Sequence, residues 1–282
     1  LVSANFVKYF EISKKFLAIC ENFSPNVELF SIDEVFIDIT LTNHLFGGVY
    51  KMINLIKQEI KEKIGEYITV SIGISYNRLL AKLASGINKP DGMFEITKNN
   101  LEQVYSKSKL TDVCGIGNRI KLRLNKIGIY NLNELRNFPI NILKQEFGPA
   151  EAGFLKNVGF GIDSDSLNSF TKSPEVKSVG RNYCLPRNEY NKTIVLQNIY
   201  ELCEEVGIKL RRLNKKARTA GFYLRGNINL HGRKTYEYYF DRGKEIFDLC
   251  ISFRPLGSSL EYVRQISVWV SSLEDSINTP LS

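Results

Sequence analysis

Apolar residues along this chain change period several times, and each change marks a new element. From Ala4 to Asn22, Phe6, Val7, Phe10, Phe16, Leu17 and Cys20 return at roughly helical spacing with Lys8, Lys14 and Lys15 between them. That pattern predicts an amphipathic helix. After Pro25 come two short apolar runs, Val27 to Phe30 and Val35 to Ile39, separated by Ser31, Ile32, Asp33 and Glu34. Neighbours in a straight strand point to opposite faces, so Asp33 and Glu34 converge only if Ser31 to Glu34 is a bend or hairpin tip. Strand-forming residues on both sides allow that hairpin. A helix is then predicted from about His44 to Gly65, with Leu45, Val49, Ile53, Ile56 and Ile60 inward. Ile68, Val70, Ile72 and Ile74 alternate as a strand over Tyr67 to Ile74, and Asn77 caps a helix from Arg78 to Ser85. Pro90-Asp91-Gly92 turns the chain into a strand over Met93 to Ile96. Helix, hairpin, helix, strand, helix, strand is an α+β order, with helices on one side of a mainly antiparallel sheet.

Leu101 to Leu167 reads as a second, helical unit. Within it, Val113-Cys114-Gly115-Ile116-Gly117 followed by Asn118 to Leu124 and Ile127-Gly128-Ile129 forms a helix-hairpin-helix pattern. Gly115 and Gly117 let the backbone turn tightly, and the unpaired N–H groups of the following helix can point at a phosphate. Asn168 to Glu175 is short and polar and reads as a tether. Beyond it, strands are expected at Val176 to Leu185, Ala220 to Leu230, Thr235 to Phe240 and Gln265 to Ser271, with helices near Thr193 to Asn214 and Gly243 to Phe253. This β-α-β-β-α-β order is the ferredoxin-like one. The predicted organisation is a first domain over 1–98, a helical domain over 99–168, a linker over 169–176, a third domain over 177–273 and a tail over 274–282.

With 282 residues and 43% hydrophobic content the chain can bury real cores, so disorder is not its dominant state. Lys and Arg number 38 against 30 Asp and Glu, a net charge of +8 that suits a polyanionic partner, nucleic acid or an acidic membrane surface. Cys20, Cys114, Cys184, Cys203 and Cys250 are odd in number and scattered, which argues against a disulfide framework or a zinc site and fits a reducing cytoplasm. No apolar run reaches bilayer-spanning length, and the first residues lack a signal-peptide pattern, so a cytoplasmic protein with no membrane partner is expected.

Asp33 and Glu34 are the chemical focus. Two carboxylates brought together repel unless a cation lies between them, and a hard divalent ion such as Mg²⁺ with oxygen ligands accounts for the pair. A hairpin tip with two solvated acids is the plainer reading. Lys89, next to Pro90, stands where the backbone is extended and its ammonium can reach outward, or remain a solvated loop lysine. Lys82, on a helix otherwise apolar at Leu79, Leu80 and Leu83, is either an ordinary exposed position or a DNA contact. Arg119, Lys121, Arg123 and Lys126 add positive charge beside the glycine turn. Lys177, Arg181, Lys215, Lys216, Arg218, Arg225 and Arg233 are candidates for phosphate contacts in the third domain. The run Tyr236, Tyr238, Tyr239 and Phe240 reads as sheet packing rather than a base-stacking platform.

Ser31-Ile32-Asp33-Glu34-Val35-Phe36-Ile37-Asp38-Ile39-Thr40 resembles the central motif of the Y-family translesion DNA polymerases. Val70 to Ser85, reading V-S-I-G-I-S-Y-N-R-L-L-A-K-L-A-S, and Asn88-Lys89-Pro90-Asp91-Gly92 resemble two further blocks of that family in the same order and at matching distance. The resemblance runs over essentially the whole chain. It implies that the first domain is a partial palm, the second a thumb that grips the duplex through Gly115, Gly117, Arg119 and Lys121, and the third a little finger that binds DNA through residues such as Lys177, Arg181, Lys216 and Arg218. It further implies template-directed nucleotide addition with two Mg²⁺ ions, Asp33 and Glu34 as metal-binding catalytic residues, and Lys89 on the triphosphate of the incoming nucleotide. Primer-template DNA and deoxynucleoside triphosphates would be the partners of a monomeric protein.

Within the family, the compact size and Val176-Lys177-Ser178-Val179-Gly180-Arg181 look most like the bacterial polymerase IV branch, with the polymerase V catalytic subunit as alternative. Family members carry a further metal-binding aspartate in an amino-terminal D-x-D-x-F-F strand, followed by a fingers domain; neither occurs here, so a fragment lacking its amino-terminal part is expected, inactive alone. Asp38 receives no firm role beyond a supporting hydrogen bond. Thr279-Pro280-Leu281-Ser282 lies where family members carry a sliding-clamp-binding peptide, which makes the clamp a candidate partner of the tail. The contrasting class is a noncatalytic DNA-binding or partner-recruiting protein.

Overall fold

The computed structural model describes residues 4–163, 167, 175–253 and 261–276. The predicted tether, except Glu175, and the Thr279 to Ser282 tail lie outside the described residues. The chain divides into two compact units, Leu1–Ser173 and Pro174–Ser282.

The first unit opens with helix α1 (Phe6–Glu21), whose first turn is capped by the Asn5 side chain accepting from Lys8 N at 3.0 Å. Its later turns bury Ile19 and Cys20 beside Phe23, Met52, Ile56 and Ile60. Phe6, Val7 and Phe10 lie exposed, so the predicted apolar face of this helix is covered only toward its C-terminal end. Strands β1 (Val27–Ser31) and β2 (Glu34–Ile37) pair antiparallel with Ser31 opposite Glu34, so that Ile32 and Asp33 form the two-residue tip of a hairpin. The predicted helix from His44 is in fact a single 3-10 turn, Asn43–Phe46, ended by Gly47 at φ 77, followed by helix α2 (Val49–Lys63). Leu45 therefore does not share the inner face of α2 and is exposed, whereas Met52, Ile53, Ile56 and Ile60 are buried.

The strand expected over Tyr67 to Ile74 is shorter. Only β3 (Ile72–Ile74) is a strand, and Ile68 is exposed. It pairs in parallel with β4 (Met93–Glu95), and helix α3 (Arg78–Ile87) provides the crossover that parallel pairing requires. The expected mainly antiparallel sheet is thus two separate two-stranded sheets among the described residues, one antiparallel and one parallel. Asn77 caps α3, accepting from Leu80 N at 2.9 Å. Leu79, Leu80, Leu83 and Ala84 of α3 share a core with helices α4 (Leu101–Lys107), α5 (Asn118–Lys126), α6 (Leu132–Asn137), α7 (Ile140–Phe147) and α8 (Pro149–Phe160). Asn77 Nδ2 also donates to Gly161 O at 2.7 Å, and the buried Tyr105 hydroxyl donates to Val158 O at 2.6 Å.

The second unit runs β5 (Ser178–Glu189), α9 (Lys192–Arg212), β6 (Lys215–Gly226), β7 (Asn229–Phe240), α10 (Gly243–Phe253) and β8 (Val263–Asp275). The strand predicted to run on to Leu230 stops at Gly226, where Asn227 and Ile228 make the β6–β7 turn. The order of elements is the one predicted, but the sheet order is β5-β8-β6-β7, all antiparallel. The second and fourth strands are central, where a ferredoxin-like sheet centres its first and third. Chemistry accounts for part of the placing: β5 carries Pro186, which cannot donate to a ladder and is tolerated at a sheet edge, while β6 and β8 supply the buried Ala217, Ala220, Phe222, Leu224, Ile266, Val268 and Val270. Ala220, Phe222, Leu224, Ile266, Val268 and Val270 meet Ile199, Val206, Leu210, Ile246 and Cys250 of the helices in one core. Since side chains alternate, Gly221, Tyr223, Arg225, Gln265, Ser267 and Trp269 share the opposite face of the sheet.

Candidate active site

The hairpin tip stands over a cavity of about 480 Å³ lined by Asp33, Glu34, Lys82, Lys89 and Asp91, with Phe16, Val35, Ile37, Met52, Ile56 and residues 69–75 as its walls. The three residues singled out as catalytic or nucleotide-binding, Asp33, Glu34 and Lys89, therefore border one space. Asp33 occupies the turn itself and accepts from the Ser31 hydroxyl at 2.7 Å, which fixes one of its carboxylate oxygens. Glu34 is the first residue of β2 and is half-buried. The two-residue turn breaks the strand alternation that would otherwise send these side chains to opposite faces.

Helix α3 is tied to this hairpin by two cations one turn apart. Arg78 meets Glu28 of β1 at 3.0 Å, with its guanidinium 5.1 Å from the Phe36 ring centroid. Lys82 forms an ion pair with Glu34 and lies 6.0 Å from the Phe30 ring centroid. Neither pair is visible in local spacing. The available signal was the i, i+4 repeat of Arg78 and Lys82 against Glu28 and Glu34 on the paired strands. Lys82 is thus neither simply exposed nor aimed outward. Below the tip, Asp38 accepts from the Thr40 hydroxyl at 2.6 Å and from Thr40 N at 3.0 Å, and these bonds hold its carboxyl below the usual carboxylate range. Across the cavity, Asp91 is held by Lys57 at 3.0 Å and, more loosely, by Lys61 at 3.8 Å; the Lys57 bond leads in keeping its carboxyl low.

Two carboxylates of exposed and half-buried character on one rim offer the hard oxygen donors that a divalent cation takes. Among the described residues no three His, Cys, Asp or Glu side chains come together as a metal cluster. Asp33 and Glu34 are the acids on this rim whose oxygens could take such a cation, its remaining ligands being water or a phosphate.

Elsewhere, the glycine turn precedes α5 as predicted. Gly115 has φ 96, and a Cβ there would stand 2.5 Å from Phe154 Cζ, so only glycine fits. Gly117 is the N-cap of α5, Arg119 is exposed and Lys121 half-buried. Arg123, by contrast, is engaged by Glu146 at 2.7 Å and stacks on Phe147. In the second unit Lys177 is exposed just before β5, Lys216 stands opposite Glu274, and Arg218 lies 5.4 Å from the Tyr239 ring centroid. Arg181 pairs with Glu205 of α9 at 2.8 Å, so its charge is already partnered on the helix-covered side. Sequence reasoning passed over Trp269, whose indole lies across Gly221 on the sheet face away from the helices. Tyr223 and His231, stacked at 6.5 Å, lie on neighbouring strands of the same sheet.

Residues 1–86 match the impB/mucB/samB family. The DNA polymerase IV of Acetivibrio thermocellus is 32% identical over 220 residues, 78% of this chain and 54% of that protein. That of Clostridium perfringens is 29% identical over 277 residues, 96% of this chain and 75% of that protein. The chain spans 54 to 60% of the length of several such relatives. Among solved structures, a Y-family DNA polymerase chimera of Dbh and Dpo4 superposes with a TM-score of 0.74 at 24% identity, over 97% of this chain and 78% of that one.

Proposed function

From the premise that this chain belongs to the Y-family of DNA polymerases, we propose that it carries the acidic hairpin, nucleotide lysine and DNA grip of a translesion polymerase of the polymerase IV type. The observation that carries this reading is the shared cavity bordered by Asp33, Glu34 and Lys89. The reaction is in-line attack of a primer 3′-hydroxyl on the α-phosphate of a deoxynucleoside triphosphate, with pyrophosphate leaving. Bound Mg²⁺ ions would lower the pKa of that hydroxyl and neutralise the leaving charge. Asp33 and Glu34 would hold them, Glu34 toward the primer end. Ser31 orients Asp33, so this carboxylate needs little reorganisation. Lys89 would set its ammonium against the triphosphate as a charge-assisted donor.

In this reading residues 1–98 are a partial palm, 99–168 the thumb and 177–273 the little finger. The backbone N–H groups at the start of α5, after Gly115 and Gly117, would receive a DNA phosphate, with Arg119 and Lys121 beside them. Lys177, Lys216 and Arg218 would contact the backbone in the little finger. Arg181 would contribute least, because Glu205 already neutralises it. The chain would act as a monomer; the predicted tail over 274–282 starts inside β8, so the clamp contact would lie beyond that strand, and removal of 277–282 should abolish clamp binding.

The test is a labelled primer-template. The chain should shift it in a gel, with affinity rising when Mg²⁺ and the templated triphosphate are added together, yet extend it not at all. Absence of DNA binding would overturn the proposal; robust extension would overturn the expected inactivity. For the contrasting class, a noncatalytic DNA-binding protein, Mg²⁺ and triphosphate should leave DNA affinity unchanged.

A further inference from the structure

Lys82 borders two spaces. One is the cavity of Asp33, Glu34 and Lys89; the other is a separate cavity of about 620 Å³, lined also by Leu83, Ile87, Phe94, Asn100, Gln103 and Asp112. The ammonium pairs with Glu34 Oε1, which lines only the first of them, and both side chains are about one-quarter to one-third exposed. Its neighbour Arg78 is placed differently: its pair with Glu28 is more deeply covered, at 16% and 10% exposure, and wedged against Phe30 and Phe36. Arg78 therefore carries the task of pinning α3 to the hairpin. Lys82 holds Glu34 where water, and a cation, can reach it.

We propose that Lys82 is a built-in counter-cation for Glu34, with which a divalent ion must compete, and that it yields by swinging into the neighbouring cavity. This deepens the reading of Glu34 as a metal ligand and rests on it. An ammonium and a divalent cation seek the same carboxylate lone pairs, and holding both on one carboxylate sets like charges a few ångströms apart. The second cavity offers a displaced ammonium room beside Gln103 and Asp112; Lys107 lines the same space, the Asn100 oxygen is taken by Thr97 N and one Asp112 oxygen by Lys109 N, which leaves the other Asp112 oxygen as the acceptor. The main chain of Lys82 stays fixed meanwhile, because its carbonyl accepts from the Ser85 hydroxyl at 2.8 Å and its helix is anchored by the buried Leu79, Leu80 and Leu83. Lys82 is a positioning residue: it sets the affinity and order of metal loading without touching the reacting atoms.

The experiment is titration of the chain with Mn²⁺ at low ionic strength, reading free Mn²⁺ by electron paramagnetic resonance. Lys82→Met, which keeps the stem and removes the charge, should tighten Mn²⁺ binding several-fold, while Lys82→Arg stays near the parent. Glu34→Gln should weaken binding with or without Lys82→Met and erase the difference that Lys82→Met otherwise makes. Urea denaturation of each variant confirms that folded chains are compared, with Lys82→Gln as a second neutral replacement. Unchanged or weaker Mn²⁺ binding in both neutral variants, with Glu34→Gln still weakening it, overturns the counter-cation and leaves the metal-ligand reading intact. If Glu34→Gln changes nothing, the metal-ligand reading fails as well.

Discussion

Asp38 stands close in sequence to the acidic tip and yet serves a different purpose. Its two bonds from Thr40 close the end of the hairpin, and Ser24 Oγ donates to its carbonyl at 2.6 Å. The carboxyl is held below its unfolded-state value, so its contribution is present above pH ~4 and is lost as pH falls through the lower folded value. Asp38→Ala should therefore cost about 1 kcal/mol by urea denaturation at pH 7, allowing for its partial exposure, and the gap from the parent should narrow as pH falls below the ordinary carboxylate range. Asn77 joins two contacts, the cap of α3 and the bond to Gly161 O, so Asn77→Ala should cost about 1–2 kcal/mol in the same measurement. At this scale the sequence disclosed the residues whose chemistry is local. Asp33 and Glu34 drew notice as acids between apolar runs, and the resemblance of their motif and of Asn88-Lys89-Pro90-Asp91-Gly92 to family blocks gave them and Lys89 a role. The Lys82–Glu34 and Arg78–Glu28 pairs did not stand out, because partners so far apart along the chain meet only once the helix has docked on the hairpin.

Elements were legible wherever periodicity was long or capping residues were explicit. Helices α3, α9 and α10 and the acidic hairpin formed close to where the pattern placed them. The stretch before Ile72 misled because alternation alone does not make a strand: Gly65 at φ 155 and the fully exposed Tyr67 interrupt pairing, leaving Ile68 outside any strand. Parallel pairing of β3 with β4 was equally hidden, since three-residue strands carry too few side chains to signal direction. The glycine turn offers a sharp test of element-level reasoning. Gly115→Ala must place a Cβ against Phe154 at positive φ, whereas nothing lies within 4 Å of a Cβ at Gly117. Thermal denaturation should show Gly115→Ala destabilised by about 1–3 kcal/mol and Gly117→Ala within about 1 kcal/mol of the parent.

The molecule as a whole pairs separate apolar cores in two units with a net charge of +8. The chain's one tryptophan, Trp269, belongs to the second unit, so its fluorescence reports that unit's unfolding and any ligand on the helix-free sheet face. If DNA is held through phosphates, affinity should fall steeply with salt. Lys216→Ala should then lower the slope of log affinity against log salt by about 1, and Arg181→Ala by clearly less, because Glu205 already occupies its guanidinium. Sheet order in this unit was not readable from element order. Which strands sit centrally depends on the relative polarity of all four, and only the Pro186-bearing β5 announced an edge position.

The central claim is that the Asp33-Glu34 tip holds a divalent cation in the cavity that Lys89 also borders, and local cleavage by Fe²⁺ in its place tests it most directly. With ascorbate and peroxide, in the presence of primer-template and a deoxynucleoside triphosphate, backbone scission should concentrate at residues 32–35 and 89–91. It should be suppressed by excess Mg²⁺ and lost in Glu34→Gln. Scission spread evenly along the chain, or centred elsewhere and indifferent to Glu34→Gln, contradicts the account.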